Sequence, residues 1–127
     1  MDKKNESKKT VAVIEDNKDL LEILTTKIRE EGFDVYGASC GIEFVREMAG
    51  RMPDLILLDL MLPGTSGDGV LNAINKMDVL SDVPVIIFSA KEINEIKESA
   101  KNVNAVAYMQ KNADYKKIID LIKEHIK

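Results

Sequence analysis

Five short runs of aliphatic and β-branched residues do not alternate with polar ones, and no other feature constrains the fold as much. They are Thr10 to Ile14, Phe33 to Ala38, Asp54 to Leu58, Val83 to Phe88 and Ala105 to Met109. A strand with one wet face alternates apolar and polar residues; a run that is apolar almost throughout predicts a strand covered on both faces. Between the runs the spacing changes. Leu20, Leu21, Leu24 and Ile28 recur at three and four residues, as on one face of a helix, and Gly32 stops that segment. Ile42, Val45 and Ala49 mark a second helix closed by Gly50, and Val70, Leu71 and Ile74 a third. Ile93, Ile96 and Ala100 give a fourth, and Tyr115, Ile118, Ile119, Ile122 and Ile126 a fifth. Five strands alternating with five helices predict a doubly wound (βα)5 parallel sheet with right-handed crossovers.

A chain of 127 residues suits one domain, read here as residues 10–127 behind a disordered polar leader, residues 1–9. The leader lacks the apolar stretch of a signal peptide, and no run approaches the roughly 20 residues of a membrane span. A net charge of −4 and a pI near 5.1 favour neither nucleic acid nor an anionic membrane. The single cysteine, Cys40, excludes an internal disulfide and suits a reducing compartment, so the expected location is the cytoplasm. Cys40 reads as a small packing residue near a helix start. His125 reads as a solvated helix-end residue. Met48, Met52, Met61, Met77 and Met109 show no ligand spacing and read as core filling.

In open α/β sheets, ligands bind beyond the carboxyl ends of the strands, where the strand order reverses. Glu15 and Asp16 follow the first run, Asp59 the third, Ser89 the fourth and Lys111 the fifth. Singly, each has an ordinary explanation: Glu15, Asp16 and Asn17 suit a helix cap, Asp59 a turn, Ser89 a strand end, and Lys111 a solvated loop. Jointly they mean more. In a flavodoxin-like order of 2-1-3-4-5, the first and third strands are neighbours at the switch point, and three carboxylates share one pocket. Like charges so close repel and call for a cation. An all-oxygen set suits Mg²⁺ (or Mn²⁺), which takes a few carboxylates, waters and phosphate oxygens. With the ammonium of Lys111 and the hydroxyl of Ser89, the set suits a phosphoryl group under attack by a carboxylate.

These residues resemble the response-regulator receiver family of two-component signalling, and the resemblance runs from Thr10 to about Ile126. The acidic pair is Glu15 and Asp16. The phosphoacceptor segment runs from Asp54 through Asp59 to Pro63 and Gly64, followed by Gly67; the two glycines read as turn residues. Ser89 and Ala90 match the hydroxyl residue and the small residue after it, Lys111 the lysine, and Tyr108 the aromatic switch. The resemblance implies that Asp59 is the nucleophile and that Asp16 and Asp59 bind metal directly. Glu15 then acts largely through water, and the Met61 backbone carbonyl completes the set. It implies a histidine kinase or phosphotransfer protein as donor. The output partner is a downstream protein, reached through the face of the fourth helix, fifth strand and fifth helix. The oligomeric state implied is a monomer or a weak, phosphorylation-dependent dimer. Leu121, about 110° from the apolar stripe of its helix, reads as either part of that face or a scattered surface leucine. The family usually has proline after the lysine, in a cis peptide. Here Asn112 follows, and a cis bond without proline costs roughly 2.5–4 kcal/mol, so a trans bond is expected.

Other readings fit less well. A pseudo-receiver, a binding module not switched by phosphate, is the alternative that the Lys111–Asn112 departure keeps in play. A phosphatase of the haloacid dehalogenase type has an Asp where Met61 stands. A flavodoxin holds phosphate with Ser, Thr and Gly, where Glu15 and Asp16 repel it. A kinase's glycine-rich loop before Lys-Ser or Lys-Thr is absent.

Overall fold

Each apolar run becomes a strand of one parallel sheet: β1 (Thr10–Ile14), β2 (Asp34–Ala38), β3 (Leu55–Asp59), β4 (Val85–Ser89) and β5 (Ala105–Gln110). The computed structural model describes residues 8–59, 76–90, 92–99, 105–111 and 114–126. The strand order is β2-β1-β3-β4-β5 and every pairing is parallel, the flavodoxin-like order that the sequence predicts. Strand boundaries shift by one or two residues from the sequence reading in β2 to β5, and two of the shifts bear on chemistry. Asp59 and Ser89 are the last residues of their strands rather than the first beyond them. Polarity ends an apolar run, but the backbone ladder continues, pairing Asp59 with Phe88 and Ser89 with Gln110.

Four α-helices are described: α1 (Lys18–Glu30), α2 (Gly41–Gly50), α3 (Ile93–Ser99) and α4 (Tyr115–His125). α3 and α4 are the fourth and fifth expected helices; the third, marked by Val70, Leu71 and Ile74, lies outside the described residues. α1 starts where the Asn17 side chain accepts the Leu20 N–H at 3.0 Å. It ends at Gly32, whose φ of 96° suits glycine and whose N–H donates to the Arg29 carbonyl. Asp114 caps α4 in the same way as Asn17 caps α1, through the Lys117 N–H.

The sheet separates two apolar clusters. Ala12, Ile14, Ile56, Leu58, Ile87 and their neighbours meet Phe44 of α2 and Ile96 of α3. Val11, Val13, Leu57, Ile86, Phe88 and their neighbours meet Leu24 and Ile28 of α1 and Ile118 and Ile122 of α4. β1, β3 and β4 are buried along their whole length, as their unbroken apolar character requires.

Several expectations are corrected. In α2 the stripe of Ile42, Val45 and Ala49 marks the helix but faces outward, with Ile42 74% exposed; Phe44 and Met48 make the buried contact. The two stripes lie roughly 110° apart on a helix of 3.6 residues per turn, and the larger ring takes the core. Met52 is exposed, whereas Met48, Met77 and Met109 pack into the interior. Leu121 is half-buried against the α1/α4 cluster rather than a stray surface leucine. His125 is half-buried beside Glu124 rather than solvated. Cys40 stands at the N-cap of α2, half-buried, as a packing residue near a helix start should.

Candidate functional site

The carboxyl ends of β1 and β3 each carry a carboxylate that is 0% exposed, Glu15 and Asp59. Strand geometry holds them: the Glu15 N–H donates to the Ala38 carbonyl at 2.9 Å, and Asp59 is still in the ladder. Neither carboxylate is left without compensation. Lys111, just past β5, places its Nζ 2.9 Å from Asp59 Oδ2 and 3.1 and 3.3 Å from Glu15 Oε1 and Oε2. Its own N–H donates to the Ser89 carbonyl at 2.8 Å, and its ammonium stands 5.6 Å from the centre of the Phe88 ring. Three strand ends thus place one cation between two buried anions.

Glu15 Oε2 also accepts the Asn17 N–H at 2.9 Å. Oε1 faces the lysine as an ion pair but has no aligned hydrogen bond, a buried acceptor with spare capacity. Asp16 is more exposed, and one carboxylate oxygen from each of Glu15, Asp16 and Asp59 lies within 4.8 Å of the others. Such an all-oxygen cluster, with a buried acceptor not hydrogen-bonded, could hold a hard divalent cation.

Charge in this dry corner alters proton affinities. Burial pushes the Glu15 carboxyl up to about 7, assisted by the nearby Asp59 and opposed by the Asn17 N–H and Lys111. Burial pulls the Lys111 ammonium down, but its hydrogen bonds to Asp59 and then Glu15 outweigh that and leave it raised.

Ser89 is fully buried at the end of β4, and Ala90 after it is exposed. Tyr108 is half-buried against the α2/α3 cluster, with Lys97 of α3 6.0 Å from its ring centre. Met61 and Asn112 lie outside the described residues, so the Met61 carbonyl and the Lys111–Asn112 peptide are not placed. The structure therefore brings Glu15, Asp16, Asp59 and Lys111 together, with Ser89 joined through its backbone. Sequence reading missed Asn17 as a donor to Glu15, Phe88 beneath Lys111 and Lys97 over Tyr108. Only Asn17 carried a signal, as a short polar residue at a helix start.

The sequence profile described as the response regulator receiver domain matches residues 11–123. The chain belongs to that family. As a receiver domain it is a component of two-component signalling, not a classical enzyme. Solved structures are similar to this receiver over nearly its whole length. The chemotaxis protein CheY4 of Vibrio cholerae has a TM-score of 0.86 at 17% identity, covering 93% of this chain and 98% of that one. The receiver domain of the Francisella response regulator 1452 has a TM-score of 0.80 at 27% identity, covering 91% and 94%. The response regulator TrrA of Thermotoga maritima, solved in complex with Mg(2+)-BeF, has a TM-score of 0.78 at 26% identity, covering 91% and 97%.

Proposed function

We propose that this receiver accepts a phosphoryl group on Asp59 in a reaction that depends on Mg²⁺ or Mn²⁺. The observation that supports this best is the pairing of a fully buried Asp59 with Lys111 at 2.9 Å, beside Glu15 and Asp16. A carboxylate with no exposure is costly to keep charged, and a purely structural strand end has no need of one. Asp16 and Asp59, with Glu15 largely through water, would hold the cation, which would supply positive charge to the phosphoryl oxygens. An Asp59 carboxylate oxygen forms the new bond to phosphorus as the donor's P–N or P–O bond breaks, with the electron pair leaving on the donor. Lys111, already on Asp59, is in reach of a phosphoryl oxygen attached there, and Ser89 and Ala90 border the same strand end.

The proposed donors are a histidine kinase or a phosphotransfer protein. The proposed output is contact with another protein through α3, β5 and α4, with Tyr108 as the responsive ring, in a monomer or a weak phosphorylation-dependent dimer. Among the described residues no helix is long and apolar enough to cross a membrane, and the cytoplasm is the proposed location. The test is incubation with a small acyl phosphate, with and without Mg²⁺, and mapping of the labelled residue by mass spectrometry. Cation-dependent label on Asp59 is expected; none under saturating donor and cation would leave a phosphate-independent binding module.

A further inference from the structure

Asn17, three residues past the end of β1, is the N-cap of α1, and three of its polar groups are engaged. Its N–H donates to Glu15 Oε2 at 2.9 Å. Its side-chain Oδ1 accepts the Leu20 N–H at 3.0 Å, and its carbonyl accepts the Leu21 N–H at 2.8 Å. An exposed residue thus links a helix to a carboxylate that has no exposure.

The helix is a fixed frame. Leu24 and Ile28 are buried in the cluster of Val11, Val13 and Leu57, so α1 cannot drift without disturbing a close-packed core. The side-chain cap ties the backbone of residue 17 to that frame, and this aims the Asn17 N–H. On the other side, the Glu15 N–H is tied to the Ala38 carbonyl of β2 at 2.9 Å. The segment Glu15-Asp16-Asn17 is therefore clamped at both ends, by the sheet and by α1.

The consequence falls on the Glu15 carboxylate. Oε2 has two donors, the Asn17 N–H and Lys111 Nζ at 3.3 Å. Oε1 is buried 3.1 Å from the same Nζ but has no aligned donor. Without the Asn17 N–H the two oxygens could exchange places between the lysine and the pocket. Groups that orient a ligand from outside the coordination shell have a large effect on metal affinity.

We infer that Asn17 is a positioning residue of the cation site: by capping α1 it holds its N–H on Glu15 Oε2 and leaves Oε1 as the glutamate oxygen for a cation or its water. The inference rests on the proposed cation-dependent reading of the site. The side chain acts through the backbone of its own residue, so what matters at position 17 is the ability to cap.

Three variants of the full chain separate positioning from helix stability. At an N-cap, Ser equals Asn, Gly is only slightly worse and Ala is poor. Glycine therefore keeps the helix while removing the side-chain bond and freeing the backbone. Mn²⁺ affinity is read from the electron spin resonance of the free ion, with no phosphodonor present, and binding at this site is the part that Asp59→Asn removes. Asn17→Ser is expected to bind as the parent does. Asn17→Gly and Asn17→Ala are expected to bind about tenfold more weakly, the lower end of the cost of losing an outer-shell partner. The residue 17 amide should also exchange faster with solvent deuterium in both. A folded Asn17→Gly with the parent's affinity overturns the inference even if Asn17→Ala is weakened, because helix stability alone would then explain the alanine. Asn17→Ser binding as weakly as Asn17→Gly overturns it too. Should Asn17→Ala not fold, the glycine and serine variants decide. A parent that binds no Mn²⁺ at this site removes the cation reading and this inference with it; binding by the parent that is unchanged in Asn17→Gly removes the inference alone.

Discussion

Asp54 and Asp59 bracket one strand, the first just before β3 and the second its last residue, and their surroundings differ. Asp54 is half-buried; its Oδ2 accepts the Thr10 N–H at 2.8 Å, and its own N–H donates to the Thr10 carbonyl at 2.7 Å. Asp59 has no exposure and meets the ammonium of Lys111. The chemistry of strand ends explains the difference. The amino ends of parallel strands present N–H groups, which serve a carboxylate directly. The carboxyl ends present carbonyl oxygens, which do not, so a buried carboxylate there needs a cation from elsewhere. One end of the sheet closes itself; the other must be completed by a side chain or a ligand.

The largest expected effect separates the two aspartates outright. Asp59→Asn keeps the shape and abolishes phosphoryl acceptance, while Asp54→Asn labels as the parent does; equal labelling in both would erase the functional side of the contrast. Next comes Lys111→Met, which leaves two buried carboxylates without their cation. Breaking a buried pair by removing one partner costs about 3–5 kcal/mol, measured by denaturant unfolding near pH 8. A loss below that of Asp54→Asn would show that the lysine is not what makes the carboxyl end tolerable.

The pH dependence follows from Glu15. Its folded value of about 7 lies above the ordinary 4.5, so the folded state holds this proton more tightly than the unfolded chain. The resulting stability is fully present below pH 4.5 and is lost as pH rises through 7, by about 3 kcal/mol across the interval. The stability difference between the parent and Glu15→Gln should therefore change sharply over that window. Parallel profiles would be incompatible with a raised Glu15.

Above pH 7, Mg²⁺ should stabilise the parent by relieving the same repulsion, about 2.7 kcal/mol at a hundredfold excess over the dissociation constant. Thermal unfolding against a chelator control reads this out. The gain should survive Asp54→Asn and shrink in Asp59→Asn. The smallest effect is Asp54→Asn itself, which weakens a charge-assisted hydrogen bond at a half-exposed site and should cost about 1 kcal/mol. A cost above that of Lys111→Met would reverse the ranking of the two ends.

Much of this architecture was legible in advance because apolar strands buried on both faces advertise themselves. Thr10 to Ile14 was read to its boundaries, and the acidic cluster followed from the rule that sites form at carboxyl ends. The failures have physical causes. Asp59 and Ser89 were placed beyond their strands because hydropathy stops where polarity starts, although backbone pairing does not depend on side-chain polarity. α2 offered two apolar stripes, and periodicity names a helix without naming which stripe meets the sheet. Leu121 was placed by its angle on an ideal helix, yet neighbouring elements decided how far it is covered.

The sequence by itself determined the strand-helix alternation, the helix caps at Asn17 and Asp114, and the residue types at each strand end, because these depend on neighbours along the chain. Only the tertiary structure decided that Lys111 meets Glu15 and Asp59, ninety-six and fifty-two positions away. It alone revealed that Val106 is left out of the β4–β5 pairing. Register between strands is a property of pairs, and nothing in Ala105-Val106-Ala107 marks which residue the partner strand will skip.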